Sequence, residues 1–150
     1  MTINVSPVQE SDRADWRSLW FAYCDFYKAK VSEEQTERTW QRILDPAHTI
    51  NSFIARAEDG TVLGIVTYLM HPSTWIDVGD CYLEDLYVSD TARGRGVGRS
   101  LIMAVKDAAQ SAGCERLYWN TNVGNDRARA LYDKLTGGED GHVRYRMALS

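Results

Sequence analysis

The stretch Leu83-Glu84-Asp85-Leu86-Tyr87-Val88-Ser89-Asp90-Thr91-Ala92-Arg93-Gly94-Arg95-Gly96-Val97-Gly98-Arg99 decides the fold. A strand-like run breaks at Ser89-Asp90-Thr91, passes through alternating glycines and enters a helix. Glycine lets the main chain approach a ligand closely and turn its N–H groups outward. A helix N-terminus behind such a turn adds roughly half a positive charge. Arg93, Arg95 and Arg99 add full ones. The arrangement suits a diphosphate. It is not a P-loop, which ends in Gly-Lys-Ser/Thr. Nor is it the dinucleotide fingerprint, whose G-x-G-x-x-G lies near the start of a βαβ unit. Here the spacing is Gly94-x-Gly96-x-Gly98, late in the chain. The alternative reading of the run is a glycine-rich turn with solvated arginines.

The surroundings extend in both directions. Downstream, Gly98–Ala112 carries Leu101, Val105, Ala108 and Ala112 on one helical stripe, and Gly113 stops it. Glu115–Thr121 reads as a strand, Asn125–Leu135 as a helix ended by Gly137-Gly138, and His142–Leu149 as a last strand. Upstream, Cys81–Val88 is a strand. Ile50–Ala57 and Thr61–His71 are strands joined by the hairpin signal Glu58-Asp59-Gly60. Thr2–Val8 is a first strand, and Glu10–Lys28 is a helix with Trp16, Leu19, Trp20, Tyr23, Phe26 and Tyr27 at helical spacing. Ser32 opens a second helix with a Ser-x-x-Gln cap, which runs to about Leu44 before Asp45-Pro46. The order is β-α-α-β-β-β-α-β-α-β, a mixed α/β sheet. The strand–helix–strand unit at 81–121 is expected to give two parallel neighbours.

Composition bounds the remainder. The 150 residues, 44% hydrophobic and 25% charged, are expected to form a single globular domain, 1–150. No apolar run approaches the roughly 18 residues of a membrane span, and the first residues lack a signal-peptide pattern. Cys24, Cys81 and Cys114 are odd in number and far apart, which suggests neither disulfides nor a metal site, and points to a reducing cytoplasm. A net charge of −4 disfavours nucleic acid as a partner of the arginine run.

A second run, Asn125-Asp126-Arg127-Ala128-Arg129-Ala130-Leu131-Tyr132, puts residues seven apart within about 20° of one helix face. Asn125 and Tyr132 therefore align, with the small Ala128 between them. Alone, Asn125 reads as an N-cap and Tyr132 as a core aromatic.

Together, Arg93-x-x-Gly96-x-Gly98 and Asn125-x-x-Ala128-x-x-x-Tyr132 resemble the acyl-CoA loop and the following helix of the GCN5-related N-acetyltransferase (GNAT) superfamily. The element order is similar to that fold over nearly the whole chain. The resemblance implies that Arg93, Gly94, Arg95, Gly96, Val97, Gly98 and Arg99 hold the coenzyme A diphosphate. It implies that Leu86, Tyr87 and Val88 pair with the pantetheine arm as a strand pairs with a guest peptide. Asn125 falls at the coenzyme side and Tyr132 beside the sulfur. Attack of an amine on a thioester forms a tetrahedral oxyanion and expels a thiolate, to which a phenol can donate a proton.

The acceptor amine needs a base. An alkylamine of pKa about 10.4 is about one part in 2,500 neutral at pH 7, a cost of about 4.6 kcal/mol. Tyr82-Leu83-Glu84-Asp85 resembles polyamine (spermidine/spermine-type) acetyltransferases and a fungal histone/polyamine subgroup. The resemblance implies Glu84 as a base through water and Asp85 as a holder of the amine. Regular pleating sends the two to opposite faces, and a bulge brings both to one cleft. Trp75 reads either as a cation–π wall of the amine pocket or as packing. His71 is a candidate relay or a structural histidine. Tyr27, from the first helix, is a candidate at the acceptor side. Two features depart from the family: Gly94 replaces a bulkier residue, and 136–141 is polar where a short Gly-aromatic entry is usual.

The implied reaction is direct transfer of an acetyl group from acetyl-CoA to a small amine, polyamines leading. No metal is expected, and no acetyl-enzyme, since no cysteine matches a nucleophile position. Amino acids, antibiotics and protein lysines or N-termini are the other acceptors. A non-catalytic coenzyme A-binding module is the alternative of another class. A homodimer is implied by the resemblance alone.

Overall fold

The hairpins set the registers from which the core follows. The structure, a computed structural model, describes residues 2–149. Five strands, β1 (Ile3–Pro7), β2 (Asn51–Ala57), β3 (Val62–His71), β4 (Asp80–Val88) and β5 (Arg116–Tyr118), form one sheet in that order. The first four are antiparallel, and β4 and β5 run parallel, as the strand–helix–strand unit predicts. The β2–β3 turn is closed at Gly60, whose φ of +89° suits glycine, and Thr61 N–H donates to Asp59 Oδ1 at 2.9 Å.

Ile54 stands opposite Ile65, and Ile65 opposite Tyr87, so one apolar row crosses three strands. Two helices cover it: α1 (Arg13–Phe26), entered through a 3-10 turn at Glu10–Asp12, and α2 (Glu33–Leu44). They supply Trp16, Leu19 and Trp40, with Trp16 stacked on Trp20 and tilted against Trp40 at centroid distances of 5.6 and 5.1 Å. Burying each of these side chains is worth roughly 1.5–3 kcal/mol. Ser32 caps α2, accepting from Gln35 N–H at 3.0 Å.

The third helix, α3 (Val97–Ser111), buries Val97, Leu101, Ile102, Val105 and Ala109. It lies on the opposite face from α1 and α2, because successive strand residues point to opposite faces. Ile65 joins the α1–α2 cluster, whereas a Cβ on its neighbour Gly64 would meet Leu101 Cδ1 at 3.1 Å and Val97 Cγ1 at 3.3 Å. Asp80 and Arg116 tie the parallel pair together with Nε–Oδ1 and Nη2–Oδ2 contacts of 2.7 and 3.0 Å. Arg116 holds the Asp80 carboxyl below its ordinary range.

The chain divides into two compact units, Met1–Tyr118 and Trp119–Ser150. The first contains the sheet and α1–α3. The second contains α4 (Asp126–Thr136), ended by Gly137 at φ +87°. The structure departs from two expectations. The strand expected over Glu115–Thr121 is only Arg116–Tyr118. The strand expected over His142–Leu149 is absent among the described residues: 142–149 has no regular structure. Its alternating Val143, Tyr145, Met147 and Leu149 are all exposed. Alternation prepares a strand, but only a partner edge makes one. Among the described residues no helix is long and apolar enough to cross a membrane.

Candidate functional site

Strand β4 carries the central geometry. Its register against β3 runs Asp85–Thr67 and then Leu83–Tyr68, so Glu84 is passed over in a bulge. Glu84 is exposed and Asp85 half-buried. Both carboxylates act on Tyr23 of α1. Its hydroxyl donates to Asp85 Oδ1 at 2.8 Å. Burial first, then Asp85, and to a smaller extent Glu84 hold the Tyr23 phenol well above its ordinary range. Burial pushes the Asp85 carboxyl up to about 6; the Tyr23 hydrogen bond opposes that shift, and Glu84 adds to it.

Beyond the bulge, Leu86, Tyr87 and Val88 pair with Val66, Ile65 and Gly64 of β3. On the other side β5 pairs only with Asp80–Tyr82. Among the described strands, the edge of β4 from Leu83 to Val88 therefore has no neighbour on that side, and its outward N–H and C=O groups can receive an extended ligand.

The strand runs into a 3-10 turn at Asp90–Ala92 and the glycine loop. Gly94 and Gly96 have φ of +78° and +83°, a region that side chains rarely adopt. Gly96 is the N-cap of α3, and nothing lies within 4 Å of where a Cβ on it would be. Gly98 is inside the first turn of α3 and Val97 is buried beneath it. Exposed main chain at a helix N-terminus is chemistry that can hold a diphosphate. The arginines are not equivalent. Arg93 pairs with Asp90 at 3.0 Å, donates to the Val88 carbonyl at 3.3 Å and lies over the Phe26 and Tyr87 rings at 5.4 and 5.8 Å. It braces the loop against α1 and β4. Arg95 and Arg99 are exposed, and Arg95 also borders a surface hollow with Glu58 and Asp59.

Tyr27 ends α1, 43% exposed, with its ring edge-on to Tyr23 at 5.1 Å. It therefore stands in the same aromatic group as the residue that bonds Asp85. Trp75, on the β3–β4 connection, is 84% exposed, so the packing alternative does not hold for it. His71 is engaged at both nitrogens: Nδ1 with the Pro72 carbonyl and Nε2 with the Tyr118 hydroxyl, each at 2.8 Å. It pairs with Asp80, three register positions from Leu83, or roughly 10 Å along the strand from the bulge.

In the second unit, Tyr132 lies on α4 with its ring edge-on to Trp119 at 5.3 Å. Asn125 occupies the N-cap position of α4, but its side chain does not cap; its amide donates to Thr121 Oγ1 at 3.3 Å. Sequence reasoning missed Tyr23 as a site residue. It sits on the buried helical stripe with Trp16 and Leu19, and only the long-range bond to Asp85 distinguishes it.

The Acetyltransferase (GNAT) family model matches residues 13–137. The D-amino-acid N-acetyltransferase HPA3 of Saccharomyces cerevisiae is 35% identical over 134 residues, covering 89% of this chain and 83% of that protein. The thialysine N-epsilon-acetyltransferase of Bos taurus is 38% identical over 79 residues, 53% of this chain and 45% of that protein. Among solved structures, the aminoglycoside N-acetyltransferase AAC(6')-Iy in complex with CoA has the same fold. Its TM-score is 0.83 at 21% identity, covering 98% of this chain and 95% of that chain.

Proposed function

The chain belongs to the acetyltransferase (GNAT) family, and from that premise we propose that it transfers acetyl from acetyl-CoA directly to a small primary amine in the cytoplasm. The two units act in this reading as one catalytic domain. Acetyl-CoA, when bound, supplies an activated thioester carbonyl. The main chain of Gly94 and Gly96 and the N-terminus of α3 grip its diphosphate, with Arg95 and Arg99 adding charge. Leu86, Tyr87 and Val88 align its arm along the open edge of β4, and an N–H of that edge donates to the carbonyl oxygen as charge develops there. Asn125 contributes from the start of α4. Glu84 takes a proton from the acceptor ammonium through water. Tyr132 gives a proton to the departing sulfur.

The single observation that carries this reading is β4 itself. One strand places a bulged carboxylate pair ahead of an edge without a second strand and then runs into the glycine turn. Direct transfer is also supported by the thiols. Burial holds Cys24, Cys81 and Cys114 above the ordinary range, so little thiolate is present at neutral pH.

The acceptor is a terminal alkylamine of the polyamine type. Two carboxylates beside Tyr23 and Tyr27 attract a cation with no acidic group near it, and the exposed Trp75 offers an aromatic face. A second reading, an amino acid, is favoured by the 35% identity to a D-amino-acid N-acetyltransferase. The deciding experiment is thiol release from acetyl-CoA across polyamines, D- and L-amino acids, aminoglycosides and lysine peptides, with products identified by mass spectrometry. Polyamine products support the first reading and N-acetylated amino acids the second. Coenzyme binding without turnover on any amine would instead leave a non-catalytic coenzyme A-binding module. A homodimer belongs to the proposal, supported by the exposed apolar alternation at 143–149.

A further inference from the structure

Tyr23 has no role in the proposed reaction, yet its hydroxyl is spent on one acceptor 62 residues away, Asp85 Oδ1. Its ring is held by Trp20 at 6.0 Å, Tyr27 at 5.1 Å and Tyr87 at 6.1 Å, so the hydroxyl has a fixed direction. The bond uses one carboxylate oxygen of two. We propose that Tyr23 is a positioning residue for the acceptor site: its hydroxyl fixes the Asp85 carboxylate in one orientation and favours its charged form, the form that binds an ammonium group. This inference rests on the reading of Asp85 as the acceptor carboxylate.

The groups facing Asp85 make the need for such a residue plain. From α1 they are Tyr23, Cys24 and Tyr27, and from β4 the adjoining Glu84. Burial and Glu84 both favour the protonated acid, and of the influences on Asp85 only the Tyr23 hydrogen bond favours the anion. A hydrogen bond to a charged acceptor is worth about twice a neutral one. Without it the site would hold a neutral acid over part of the working pH range and lose its attraction for a cation.

The test is Tyr23→Phe in the full chain, which keeps the ring and its aromatic neighbours and removes the donor. The first readout is the carbon-13 titration of the Asp85 carboxyl, assigned through Asp85→Asn. In Tyr23→Phe its midpoint should rise by about one pH unit. The second is kcat/KM for spermidine. At pH 6 it should fall about fivefold, the loss of charged Asp85 for that displacement, and recover at pH 8.5, with KM for acetyl-CoA unchanged. Asp85→Asn still accepts the Tyr23 bond, and in its background Tyr23→Phe should shift the pH dependence no further. An Asp85 midpoint that stays in place in Tyr23→Phe, or a pH-profile shift by Tyr23→Phe that persists in the Asp85→Asn background, overturns the inference. Failure of the acceptor reading shows separately, as a wild-type chain that acetylates no amine, and the carboxyl titration judges the Tyr23–Asp85 pairing even then.

Discussion

Glu84 and Asp85 are neighbours in sequence to which the proposed reaction gives different tasks, and their surroundings separate them. Glu84, exposed on the bulge, is free to exchange protons with water, whereas Asp85 is half-buried against Tyr23. Glu84→Gln should lower kcat with free amines by roughly 10²-fold, the usual scale of a lost general base. An unchanged kcat would reject Glu84 as the base. Tyr132→Phe should reduce kcat roughly 10- to 100-fold while coenzyme affinity measured by calorimetry stays nearly constant. Unchanged turnover would take Tyr132 out of the mechanism. Asp85 also bears on stability. Its carboxyl, at about 6 in the fold against an ordinary 3.8, holds its proton more tightly when folded. The fold therefore loses stability as pH rises from about 4 through 6, and the loss persists above that range. The difference corresponds to roughly 3 kcal/mol. Asp85→Asn should accordingly melt above the wild type at pH 8, with the gap closing near pH 4 in parallel urea titrations. A gap independent of pH would contradict this assignment.

Among the elements, β4 and α3 depend on one small residue. A Cβ at Gly64 would stand 2.6 Å from the Tyr87 carbonyl oxygen, a main-chain atom that no rotamer change can move. The same Cβ would press on Leu101 and Val97, which seat the start of α3 and hence the glycine loop. Gly64→Ala should cost about 1–3 kcal/mol as overpacking does, read as a lower urea midpoint, and weaken coenzyme binding with it. An unchanged midpoint would show that the strand and helix separate freely. Gly60, with open space around it, has no such constraint beyond its positive φ. Element positions were largely legible from periodicity and caps: Ser32, Gly60 and Gly137 mark the boundaries where the structure has them. The bulge was legible only as a possibility, because Glu84 and Asp85 look like ordinary alternating strand residues until the partner register is known.

At the scale of the whole molecule, the last segment has an unfinished character. Val143, Tyr145, Met147 and Leu149 are 75–93% exposed and alternate with Arg144, Arg146 and Ala148. If the proposed homodimer covers them, sedimentation of the full chain should give twice the chain's mass, and Tyr145→Asp with Met147→Asp should shift it to the monomer. A monomeric wild type would remove the dimer from the proposal. What the amino-acid order by itself determined is local: the period of each segment, the caps, the glycine turn and the family resemblance in its two motifs. These follow from propensities and neighbours a few residues apart. What only the tertiary structure decided is long-range: the Glu84 bulge, the open edge of β4 past Tyr82, the bracing of Arg93 against Asp90 and two rings, and the Tyr23–Asp85 bond. Each depends on which distant groups meet, and a strand pattern such as 142–149 cannot state its own partner, because the hydrogen bonds that make a strand come from another part of the chain or from another chain.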